Sequence, residues 1–167
     1  MALFADVTSA AAAARDAHGL GIDRADLSVV ARDHQDENRI GNEIDASPGS
    51  EIEDSSAASR LGELSGYILA AIAIGLPGTG AVVAAGPLAA ELGEVAGHVA
   101  GQVAGDLKST LIKAGMAESD AEGWRAQIEG GRAILIGVHA RNGRAAEIEA
   151  LLARQSIGQV VRTQWDD

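Results

Sequence analysis

The chain has no cysteine. Disulfides, thiolate nucleophiles and cysteine-based zinc sites are therefore excluded, and the composition fits a reducing compartment such as the cytoplasm. Aromatic residues are almost as scarce. Phe4, Tyr67, Trp124 and Trp165 make up 2% of the 167 residues, so a core must be built from Ala, Val, Ile and Leu. Such thin side chains let elements pack closely. No basic stretch precedes an apolar run at the N-terminus, so no secretory signal is expected. Basic side chains are outnumbered 13 to 24, giving a net charge of −11, of which −8 falls in residues 1–54. A surface of that sign repels phosphate backbones and anionic lipid, which argues against nucleic acid as a partner. The plain consequence of the acidity is solubility.

Catalytic signatures are missing too. No G-x-S-x-G elbow, H-E-x-x-H pair or supported carboxylate pair occurs. GLPGTG (75–80) has neither the G-x-G-x-x-G order nor a GK[ST] ending, so it reads as a turn. Asp33, His34, Asp36 and Glu37 lack the spacing of a calcium loop and read as a solvated acidic segment. The histidines are scattered: His18 near a helix end, His98 among glycines and His139 at the end of a strand. The expectation is no enzyme, no metal and no cofactor.

What is present divides into an ordered plan. Residues 1–32 form a strand–helix–strand unit. A short apolar run (ALFAD) is followed by Thr8 or Ser9 as cap, an alanine-rich helix stopped by Gly19 or Gly21, and the strand LSVVA. Residues 33–56 read as an acidic flexible linker. Residues 116–167 repeat the plan. A leader helix capped by Ser119 or Asp120 precedes the strand AILIGVH (133–139). A helix following Asn142 runs to Arg154, and GQVVRT (158–163) reads as the last strand. Two such units suit an α+β, ferredoxin-like split βαβ sandwich, with a four-stranded antiparallel sheet and helices on one face.

Between the units, residues 57–115 are expected to form an inserted glycine-zipper helical hairpin. One arm carries Gly62 and Gly66. The second, opening at Pro87, carries Gly93, Gly97, Gly101 and Gly105 at four-residue intervals along one face. Each glycine costs a helix about 0.8–1.0 kcal/mol against alanine, which close backbone packing can offset. These six glycines are therefore the candidate self-association surface, and a homodimer is the favoured assembly. Residues 65–90 carry no charge. Pro77, Gly78 and Gly80 break that run, and its alanine-rich arms insert poorly, so a membrane span is the lesser reading.

Three stretches carry a resemblance to a known family: LSVVARD (27–33), GLPGTGAVVAAGPLAAELG (75–93) and WRAQIEGGRAILIGVHA (124–140). They resemble the bacterial heat-induced or general stress protein family across most of the chain, with an acidic linker longer than the family pattern. The resemblance implies expression under stress and transfers no catalytic residue. The expected function is a non-enzymatic stress-response protein that self-associates and binds peptide or unfolded protein in a chaperone-like way. Tyr67, Ile68, Ile72, Val82, Val83, Leu88, His98 and His139 are its candidate contacts. A membrane-associated envelope stress protein is one alternative. A small-ligand module in the groove between sheet and hairpin, with Tyr67, His98 and His139 as polar lining, is the other.

Overall fold

The computed structural model describes residues 1–32, 72–76, 80–97, 107–140 and 143–163. In chain order the elements are β1 (Ala2–Phe4), α1 (Val7–Gly19), a 3-10 turn (Arg24–Asp26), β2 (Leu27–Arg32), β3 (Ile72–Leu76), β4 (Gly80–Ala85), α2 (Pro87–Gly97), α3 (Leu107–Lys113), α4 (Glu118–Glu129), β5 (Ile134–Val138) and α5 (Ala145–Leu152). The strands form one antiparallel sheet in the order β1-β5-β2-β4-β3. The protein is thus α+β.

The outer units form their expected first strands and helices, with corrections at the caps and at the closing segment. Asp6, not Thr8 or Ser9, caps α1: its carboxylate accepts from the Ser9 backbone N–H at 2.7 Å, and the Ser9 hydroxyl donates back to the Asp6 carbonyl at 3.0 Å. The Ser9 backbone N–H, bonded to the carboxylate, holds the Asp6 carboxyl below its usual range because it favours the ionised form. Ala10, Ala11, Ala13, Ala14 and Ala17 form the buried face of α1. At α4 the capping position is Ala117, without a side-chain bond, so Ser119 and Asp120 lie inside the helix. Glu118 and Asp120 in its first turn still complement the positive end of the helix dipole. Lys108 of α3 reaches Glu118 and Glu122 of α4 at 2.9 and 3.4 Å, joining the two helices across the surface.

The inserted segment departs from expectation. Ile72–Leu76 and Gly80–Ala85 pair from Ile72↔Ala84 to Leu76↔Gly80, a β-hairpin where a helical arm and its turn were expected. The reason is residue type: Ile72, Ile74, Val82 and Val83 are β-branched and fit a pleated surface. A short apolar run does not separate strand from buried helix by periodicity. Gly62, Gly66, Tyr67 and Ile68 lie outside the described residues, as does the acidic linker. The second arm is helical from Pro87 to Gly97 and again from Leu107, while His98, Gly101 and Gly105 also lie outside them.

Helices cover both faces of the sheet, not one. On the first face α1 and α5 enclose Ala2, Phe4, Leu27, Val29, Ile136, Ile148 and Leu152. On the second, α2, α3 and α4 enclose Leu3, Val30, Val82, Leu88, Leu107, Leu111, Trp124 and Leu135. Central strand β2 is accordingly buried along five consecutive residues, as strands covered on both sides are. Residues 158–163 do not form the expected closing strand. They follow the outer edge of β1 through a single bridge, Leu3↔Ile157, and one further contact at Met1.

The second layer begins at Gly86, between β4 and α2. Its φ of +77° is a left-handed conformation, and a Cβ there would lie 1.9 Å from the Leu27 carbonyl oxygen of β2. Gly86→Ala is expected to cost at least about 2 kcal/mol by urea unfolding, since both the conformation and the contact must be given up. An unchanged midpoint would contradict this packing. In α3 the fully buried Thr110 hydroxyl finds no hydrogen-bond partner among the described residues. Replacing it with a methyl removes an orphan donor, so Thr110→Val should raise stability by about 1 kcal/mol in the same assay.

Candidate functional site

A cleft of about 760 Å³ opens where β1 and β5 end. Two strands, β2 and β5, and Met1 before β1 build its floor. Ser28 of β2 faces Gly137 of β5 in the sheet register. A Cβ on Gly137 would meet the Ser28 Cβ at 3.3 Å, a Leu88 methyl at 3.4 Å and the Met1 Cγ at 3.5 Å. Beyond the strand, the His139 N–H donates to the Asp26 carbonyl at 2.8 Å, which ties this end of β5 to the 3-10 turn. The missing side chain at 137 is what lets α2 sit this low over the sheet end.

Leu88 enters through a cap supplied from elsewhere in the chain. Pro87 opens α2 without an N–H, and the next donor, the Leu88 N–H, reaches the buried Ser28 hydroxyl at 3.1 Å. A polar side chain in the middle of an apolar strand thus satisfies a helix end that would otherwise be buried bare. Ala114, after α3, lies beside it, and the first-face wall is Val138, Ala140, Ala145, Ile148 and Leu152. Val160, Val161, Arg162 and Thr163 close the remaining side.

Polar groups supply much of the accessible lining of the cleft. Besides the occupied Ser28 hydroxyl they are the side chains of His139, Glu149, Arg162 and Thr163, and the Met1 amine. Burial pushes that amine down to about 6 from 8.0, with the Glu149 carboxylate pulling in the opposite direction. The accessible lining is more polar than apolar, which suits a small molecule held chiefly by its polar groups. Among the described residues no group of three His, Asp or Glu side chains is placed to hold a metal. No helix among them is long and apolar enough to cross a membrane.

Of the residues singled out by sequence, His139 and Leu88 come together here. Val82 and Leu88 are each 1% exposed, in the core of the second face, so neither offers the open apolar contact expected of the insert. Ile72 and Val83 lie on β3 and β4, and Gly93 and Gly97 on α2. Sequence reasoning missed Ser28, Gly137, Ile148, Val160, Val161 and Arg162. The two legible signals were a lone serine inside LSVVA and a lone glycine inside AILIGVH.

Comparison with known proteins finds no matching family model, no similar curated sequence and no similar solved structure.

Ser28→Ala removes the acceptor and leaves the Leu88 N–H buried without a partner. The expected cost is about 1–3 kcal/mol in chemical unfolding. Ser28→Thr, which keeps the hydroxyl, should lose less. Equal stability of the alanine variant and the parent would show that the cap contributes nothing.

Proposed function

We propose that the protein is a cytoplasmic small-molecule-binding module whose ligand occupies the cleft at the end of the sheet. The cleft itself carries this reading. Its volume of about 760 Å³ falls within the roughly 300–1,000 Å³ of ligand pockets. Val138, Ala140, Val160 and Val161, the partly exposed apolar side chains of the lining, would take an apolar body, and His139, Glu149, Arg162 and Thr163 a polar end. A role in the stress response rests on the resemblance of the three stretches named above.

The frame is read as ferredoxin-like. The segment after Ile157 bridges to β1, β1 pairs with β5 and β5 with β2, all antiparallel. That succession supports two interleaved βαβ units, with the β3–β4 hairpin added at the β2 edge.

A second reading, association with a peptide or another copy of the chain, is favoured by one observation. The sheet ends on β3, whose residues Ile72–Leu76 carry no charge, and no strand among the described residues pairs beyond it. Such an edge is a template for strand addition.

The two readings separate experimentally. Titration with 8-anilinonaphthalene-1-sulfonate should give saturable fluorescence at one site per chain. Ala140→Trp, which fills the cleft from its wall, should weaken that binding by about tenfold or more, the loss of a substantial part of the contact area. Dye bound equally well by this variant, or no saturable site, would remove the ligand reading. A concentration-dependent mass in light scattering would then favour the edge.

A further inference from the structure

We propose that residues 157–163 are a detachable strap that governs access to the cleft, an inference that rests on the ligand reading above. The segment holds β1 at two places. The Ile157 N–H donates to the Leu3 carbonyl at 2.7 Å. Further on, Met1 and Val161 exchange a pair of backbone hydrogen bonds, each of 2.8 Å. Between these anchors lie residues 158, 159 and 160 on the strap but Ala2 alone on β1.

Two surplus residues cannot follow a strand edge; they must bow away from it. Gly158 permits the bow, with φ of +76° and nothing within 4 Å of where a Cβ would stand. The bow explains why GQVVRT makes no continuous ladder although its composition suits a strand. By contrast, β1 pairs with β5 through three successive residues, Ala2, Leu3 and Phe4. The edge to the strap and the edge to β5 therefore differ greatly in how firmly they are held.

The cleft is closed by Val160, the last bowed residue, by the anchor Val161 and by the two residues beyond it. Val160 packs at the margin of the first-face core and Val161 at that of the second, as successive residues of an extended segment along the β1 edge face opposite sides of the sheet. Val160, Val161, Arg162 and Thr163 all line the cavity. The opposite wall, Ile148 and Leu152 of α5, is buried in the core. Breaking the Met1–Val161 pair opens the cleft while leaving the register of β1 on β5 intact. A ligand that packs on Val160 and Val161 in turn holds the strap down.

Two measurements test this on the full chain. By native-state hydrogen exchange in the parent, the Val161 amide should exchange at least about tenfold faster than the protected amides of β5, as a local opening does relative to a core strand. Val161→Pro removes the N–H that bonds Met1. The association rate of 8-anilinonaphthalene-1-sulfonate in stopped flow should then rise about fivefold, the worth of one backbone hydrogen bond. Val161 protected as strongly as β5 would overturn the strap, and so would an association rate unchanged in a folded Val161→Pro variant. If the parent binds no dye at a saturable site, the cleft reading fails and the gate with it. A dye-binding parent with an unaltered rate in the variant removes the gate alone.

Discussion

Two backbones can lie directly on each other only where no side chain stands between them, and at Gly86 this chain depends on that. The left-handed turn there brings the start of α2 onto the Leu27–Ser28 backbone of β2, with no room for even a methyl. Pro87 then begins the helix and the Leu88 N–H finds the Ser28 hydroxyl. Orientation and depth of α2 over the second face follow from this junction. With α2 fixed, α3 and α4 complete a layer over Val30, Val82 and Leu135. The same junction brings Ser28 and Leu88 to the end of the sheet, so the cleft shares its origin with the fold.

Scarcity of aromatics shapes the rest of the packing. Among the described residues each core holds one aromatic side chain, Phe4 under α1 and α5 and Trp124 on α4. Alanine supplies much of the remainder. Five buried alanines line α1, so the helix approaches the sheet with little side chain to order on folding. The result is a three-layer molecule assembled from small residues. Its cohesion comes from area and closeness of fit rather than from large anchors.

Much of this was legible in the sequence where a local signal and the tertiary environment agree. The alternation in 1–32 and 116–167 located β1, α1, β2, α4, β5 and α5. It failed where local and global demands could not be separated. The run through Ile72–Leu76 and Gly80–Ala85 is apolar on both sides, so periodicity was silent, and β-branching was the clue that should have outweighed the glycine spacing. The four-residue glycine ladder lies largely outside the described residues, and the closest backbone approach they show is at Gly86, before Pro87. Its positive φ is a property of a junction, and helical spacing does not report it. The cleft was less legible still. Ser28, Gly137, Ile148 and Val161 are far apart in the chain, and the antiparallel order alone brings them together.

Placement of the cleft has a consequence for how binding and stability are linked. The two cores lie on opposite faces of the sheet, and the side chains of Val160 and Val161 join their margins around its end. A molecule seated against Val160 and Val161 would add contact at the margins of both cores. It would bind the closed form and not the unfolded chain, and so would stabilise the fold in proportion to the logarithm of its concentration over its dissociation constant. In a protein with an alanine-rich core and few aromatic anchors, that increment counts for more than it would in a heavily packed one. Ligand recognition and resistance to unfolding would then rest on the same contacts.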